Sequence, residues 1–438
     1  MSRFGRAVNK SRVEVAGVPL KFAVPNPESC RPVLGFQFKI RTLRRASIQL
    51  MSIFRPVVQG NSRYPGLDVL RALAIVLVIM QHMPRALFPE WFLHLKYSGW
   101  IGVDLFFVLS GYLIGSQLLR PYTQGARPSA AKFYVRRALR VLPAYLLVVL
   151  LYFVVPVFRE QPQIASPWRF LTFTQNFGFN VFATGAFSHA WSLCVEEHFY
   201  LVLPLIVFLL MRRPGVWKSC AVAIALLALG IAFRFWLWTH YLRPNLDDDQ
   251  FYVLYWKLIY YPSYARLDGL TIGVAMAAVS IFRPDWWKRF TARGNLLLAL
   301  GVLILVAAVW IFQDMSSFAV SVIEFPMLAA GFGLMVASAL SGNSILAKYR
   351  VPGATAMATL AYSIYLTHKE VMHMDRELFG RFVQMNGAPV WVIYIPSILL
   401  AATILYLCVE RPFLKLRESL MSREKQSNVK AAQAAGQA

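Results

Sequence analysis

Asp68, Arg71 and His82 lie in one apolar run, LDVLRALAIVLVIMQHM, between Leu67 and Met83. A helix turns about 100° per residue, so Arg71 and His82, eleven positions apart, fall within about 20° of each other around its axis. A rise of about 1.5 Å per residue separates them by roughly 16 Å along it, about half the hydrocarbon thickness of a bilayer. Asp68 shares their stripe. An imidazole can take and return a proton near neutral pH, and a guanidinium can clamp a phosphate or a carboxylate. Charge facing lipid costs several kcal/mol, so such a stripe should face protein or a wet cavity. The plainer alternative has Asp68 and Arg71 snorkelling at one end of the helix and His82 satisfied at the opposite interface.

The elements that must position these residues follow from composition. At 438 residues, 58% hydrophobic and 14% aromatic, the chain is too apolar for a soluble domain and reads as an all-α, polytopic membrane bundle. A net charge of +24 would suggest nucleic acid in a soluble chain. Here the basic residues sit in short segments between apolar runs, so they report topology and no nucleic-acid partner is expected. Cys30, Cys194, Cys220 and Cys408 show no metal-ligand spacing, and neither a disulfide framework nor a metal is expected.

Residues 1–60 hold eleven Lys or Arg against Glu14 and Glu28 and no run long enough to span, which reads as a basic, disordered tail. Met51 opens a plausible start of its own, so the first fifty residues are expected to be dispensable. Residues 61–418 then form the membrane domain and 419–438 a cytoplasmic tail. Ten spans are predicted, at 67–83, 99–119, 139–157, 193–211, 217–238, 264–282, 295–312, 320–340, 354–373 and 390–410. The aromatic stretch 251–263 is read as interfacial or re-entrant. Lys and Arg collect in alternate loops, as at Arg120, Arg127, Lys132, Arg136 and Arg137, while Asp247, Asp248 and Asp249 lie in an opposite one. This threading puts both termini in the cytoplasm of a multi-pass cell-membrane protein.

Threading also assigns depths. His82, Asp104, Glu196, Glu197, Arg266, Asp268, Ser363, Tyr365 and His368 are expected in the outer part, with Ser110 near the middle. Asp68, Arg71, Arg136, Arg137 and Arg140 are expected near the cytoplasm. Arg136 to Arg140 lie on about one helical turn, which suits a phosphate; the alternative is that they only obey the positive-inside rule. For Glu196 and Glu197 the plain alternative is an ion pair of one of them with Arg266. Adjacent carboxylates point roughly 100° apart and are not expected to share a partner. His94, His189, His198, His240 and His373 are given no role.

These segments together resemble the acyltransferase-3 family of integral-membrane acyltransferases, which modify surface carbohydrates and related acceptors. The resemblance rests on LDVLRALAIVLVIMQH, with arginine, ten residues and histidine at Arg71 and His82, followed in order by GVDLFFVLSGYLIG, YVRRALRVLPAY, WSLCVEEHFYLVLPL, YARLDGLTIG, AYSIYLTH and VERPF. It covers nearly all of the membrane domain. It implies an acyl-coenzyme A donor, usually acetyl-coenzyme A, and an acceptor hydroxyl on a carbohydrate or lipid-linked glycan. His82 would be the general base, oriented by Glu196, and Arg71, Arg136, Arg137 and Arg140 would hold the coenzyme, with Asp68, Asp104, Ser110, Arg266, Tyr365 and His368 in support. An acyl-histidine relay through His82 remains open. The extracellular esterase-like domain of some members is not expected, because the chain ends soon after the last span. A proton-coupled transporter or flippase would use the same ionisable residues, but such proteins often carry internal repeats, and the first-span motif has no counterpart near span six.

Overall fold

The computed structural model describes residues 64–381 and 390–422, so the basic leader 1–60 and most of the predicted tail 419–438 lie outside the described residues. Ten long helices occur among the described residues, one for each predicted span. They are α1 Pro65–His82, α2 Ile101–Thr123, α3 Ala130–Val154, α4 Trp191–Arg212 and α5 Val216–Leu237. There follow α6 Asp268–Phe282, α7 Gly294–Ile311, α8 Glu324–Ala339, α9 Ala354–Phe379 and α10 Trp391–Leu405, the last continuing through one wide turn to Ser422. Seven are long and apolar enough to cross a membrane. α6 and α8 are shorter, at 15 and 16 residues, and α9 carries Lys369, Glu370, Asp375 and Arg376 along its 26 residues.

Local signals set the ends. Pro65 opens α1, where a missing amide proton costs nothing, and Pro84 stands just beyond its last turn. The Ser129 hydroxyl caps α3 by accepting from the amide of Lys132.

Side-chain pairings fix the helix directions. Asp68 meets Thr355 and His82 meets His368, so α1 and α9 run parallel. Val141 with Tyr362 and Tyr152 with Glu370 make α3 parallel to α9. Tyr134 with Leu201 and Arg137 with Glu196 make α3 and α4 antiparallel. α2 and α6 run parallel so closely that a Cβ on Gly273 would come within 2.3 Å of the Val108 carbonyl oxygen, and one on Gly111 within 2.3 Å of that of Leu270. Odd-numbered helices thus pair in parallel with odd ones and even with even, as an alternating thread requires.

The connection 156–190 is not a surface loop. Phe170, Phe179 and Phe187 are buried in it, as are Gln175 and Asn176. The Asn176 amide donates to the Tyr261 carbonyl at 3.1 Å and to the Ser263 hydroxyl at 2.9 Å. The aromatic stretch 251–263 forms short helical pieces that do not span, and its Tyr255, Tyr260 and Tyr261 are buried against the bundle.

Candidate functional site

At the Met83 end of α1 three imidazoles pack together. His82 Nδ1 lies 2.8 Å from the Val78 carbonyl oxygen and 3.2 Å from His368 Nε2. His368 Nδ1 in turn lies 2.9 Å from the Tyr365 carbonyl and 3.1 Å from that of Ile364. The His189 ring centroid is 5.0 Å from that of His368 and 6.5 Å from that of His82. His189 and His368 are buried, whereas His82 is exposed. Tyr365 completes the layer, its hydroxyl 2.6 Å from that of Ser192 and donating to the His189 carbonyl. His82, Tyr365 and His368 therefore share one level.

Next to them lies a second group that the sequence reading missed. His189 Nε2 is 3.6 Å from Glu370 Oε1, and the Tyr152 hydroxyl touches Glu370 and, at 2.8 Å, Glu160. Lys369 Nζ is 2.9 Å from Glu160 Oε1 and donates to the Ser188 hydroxyl at 2.7 Å. A signal existed in the tripeptide His368-Lys369-Glu370, two charges following a histidine in the outer part of a predicted span. Glu160, His189 and Glu370 bring ligand-type atoms within 4.8 Å of one another, the one arrangement of this kind among the described residues. Lys369 already supplies a counter-charge there, and Tyr152 bridges the carboxyl groups.

The carboxylate expected to orient His82 is committed elsewhere. Glu196 Oε2 accepts from Arg137 Nη2 at 2.8 Å and from the Tyr200 hydroxyl at 3.3 Å, and its Oε1 accepts from Ser110 at 3.1 Å. Glu197 accepts from Arg137 Nε at 2.8 Å, and the guanidinium stacks 4.2 Å from the Tyr200 ring. Two expectations are corrected. Neighbouring carboxylates do share one partner, because flexible Glu stems converge on the adjacent Nε and Nη2 donors of one guanidinium edge. Glu196 also lies with an arginine rather than with His82. The infolded connection 156–190 delivers His189 to the histidine level, and Glu196 follows about 10 Å of helix rise further on.

Several other charges singled out in the sequence are paired as well. Arg266, the partner that the plain alternative gave to Glu196 or Glu197, instead donates from Nη2 to both oxygens of Asp104 at 3.0 Å and stacks 3.7 Å from the Phe325 ring centroid. Arg234 makes a two-pronged contact with Asp268 at 2.8 and 3.0 Å. All four groups are buried, and a buried pair of this kind makes loss of either member costly. Ser363 faces Glu410 at 2.7 Å, and so does Arg140 at 2.6 Å. Arg71 lies 3.9 Å from Asp68. Arg136 is exposed, and Arg417 of the final helix adds its charge beside Arg136 and Arg140. The four arginines read as one cluster thus divide: Arg137 is an internal ion pair, 14% exposed, while Arg71 and Arg140 keep 35% and 34% exposure.

A family model described as an acyltransferase domain matches residues 64–407. The O-acetyltransferase OatA of Staphylococcus aureus strain COL is 28% identical over 384 residues, covering 81% of this chain and 58% of that protein. A putative O-acetyltransferase of the same strain is 25% identical over 381 residues, covering 80% and 57%. The chain therefore spans a little over half the length of these relatives. No solved structure matches it.

Proposed function

Because the chain belongs to this family of membrane acyltransferases, we propose that it moves an acetyl group from cytoplasmic acetyl-coenzyme A to a hydroxyl of a cell-surface or lipid-linked carbohydrate. The observation that carries the reading is the placement of His82: one accessible imidazole, backed by two buried ones, at the far end of the helix that carries Arg71. In this reading His82 takes the proton of the acceptor hydroxyl as its oxygen attacks the thioester carbonyl. The C–S bond breaks, and the departing thiolate recovers that proton from the imidazolium. In the alternative order His82 itself attacks the thioester carbonyl and the C–S bond breaks to release the thiolate. The acceptor oxygen then attacks the acetyl-imidazolium, the acetyl–nitrogen bond breaks to return neutral His82, and the acceptor's proton goes to the thiolate.

The coenzyme phosphates would be met by the guanidiniums that keep exposure, Arg71, Arg136 and Arg140, with Arg417 beside them. Arg137 would act through structure. The names of the S. aureus proteins, which state O-acetyl transfer, favour acetyl and an oxygen acceptor.

The test is transfer in proteoliposomes from acetyl-labelled coenzyme A to a glycan fraction. Label should appear on the glycan with wild-type protein and not with His82→Ala. If wild-type protein leaves labelled donor intact with every glycan fraction from the source membrane, the proposal fails. Mass spectra of surface glycans with and without the gene would name the acceptor through a missing mass of one acyl group.

A further inference from the structure

The histidine layer determines which nitrogen of His82 does the work. A carbonyl oxygen only accepts, so His82 Nδ1, 2.8 Å from the Val78 carbonyl, must carry a hydrogen in this contact. The same logic fixes its neighbour. His368 Nδ1 faces two carbonyl oxygens, those of Ile364 and Tyr365, and must be a donor. In a neutral His368 the other nitrogen, Nε2, is then a lone-pair acceptor, and it lies 3.2 Å from His82 Nδ1. The two rings interlock: the hydrogen on His82 Nδ1 is shared between the Val78 carbonyl and His368 Nε2. The only nitrogen of His82 left with a lone pair is Nε2. Since His368 is fully buried and His82 is exposed, the open edge of the pair belongs to His82.

We infer that His368 is a positioning residue that, with the Val78 carbonyl, holds His82 in the Nδ1–H tautomer and so makes Nε2 the reacting nitrogen. This rests on the proposed acyl transfer for the word reacting, but the tautomer itself does not. It also gives His368 the task that the sequence reading gave to Glu196. When His82 takes up a proton at Nε2, its Nδ1–H still points at a lone pair of His368, so the pair accepts the new charge without moving. Neighbouring groups leave this arrangement intact. Lys369 on the same helix is engaged with Glu160 and Ser188, and Glu370 with Tyr152 and His189.

Two measurements test the inference. Nitrogen NMR of full-length protein labelled with 15N-histidine in lipid, with the His82 signals assigned by their loss in His82→Gln, should show a protonated Nδ1 and a bare Nε2. The reverse tautomer overturns the proposal whatever the enzyme does. His368→Ala should blur that signature into a mixture of ring states and lower kcat about 10²-fold at unchanged donor KM, within the roughly 10⁴ that loss of a tautomer-fixing partner can cost. His368→Gln, whose terminal oxygen can accept where Nε2 did, should restore the single tautomer and much of the rate. A purely structural role predicts that alanine and glutamine fail together by losing folded protein, and full activity of His368→Ala also overturns the inference. If the tautomer is found but no acyl transfer is, the proposed function fails and the ring assignment stands.

Discussion

Replacing His82 by alanine should lower kcat by roughly 10² to 10⁴ and leave donor KM nearly unchanged, as expected for a lost general base. Steady-state transfer with donor concentration varied reads both terms. Neighbouring arginines should separate sharply. Arg136→Ala should chiefly raise donor KM, by about 1.5 to 3 kcal/mol if one charge-assisted phosphate contact is lost, and leave thermal stability alone. Arg137→Met should instead destabilise the fold by about 2 to 4 kcal/mol, because Glu196 and Glu197, only 12% and 19% exposed, would be left without their cation. A thermal-shift series in detergent distinguishes the two. Equal behaviour of Arg136 and Arg137 would overturn the division between them. The sequence makes His82 legible, because an imidazole on an arginine's stripe inside a span has few other uses. It does not distinguish Arg136 from Arg137. Which adjacent guanidinium faces a carboxylate depends on the rotation of α3 against α4, and neither helix encodes that by itself.

Helix positions are the part of the fold most open to reading, since runs of about twenty apolar residues have one solution in a bilayer. The connection 156–190 is the reverse case. Its aromatic residues Phe170, Phe173, Phe177, Phe179, Phe182 and Phe187 follow neither a helical nor a strand period, and its buried members are held by polar anchors such as Gln175 and Asn176. Because its burial is tertiary, the level of α4 and the place of His189 were illegible. Close packing of α2 on α6 gives this scale its own test. Gly273→Leu should prevent the two backbones from meeting at Val108 and lower the yield of folded, inserted protein, read by fluorescence-detected size exclusion. A normal elution profile would mean that the two helices do not approach as described. Gly125, whose surroundings are open but whose φ is +71°, should tolerate Asn far better than Val.

Across the whole molecule, direction is the testable property. Single cysteines at Asp247, Asp248 or Asp249 should react with an impermeant thiol reagent added outside cells, and one at Ser129 should not; all four positions are exposed on the protein. The reverse pattern would invert the protein and exchange the two ends of α1. The clamp between the connection 156–190 and α9 has a further consequence, which concerns the order in which the chain is made. Glu160, Ser188 and His189 leave the ribosome about 180 to 210 residues before their partners Lys369, Glu370 and Tyr365. During that interval the segment has α3 and α4 on either side and gains the Asn176 contacts to Tyr261 and Ser263, but its Glu160 and Ser188–His189 ends wait for α9. The histidine site is thus among the last features to be assembled. A chain stopped after Gly353 should insert its first eight helices yet leave 156–190 open to protease, and extension through Phe379 should protect it. Early protection in the shorter chain would show that the connection folds without α9.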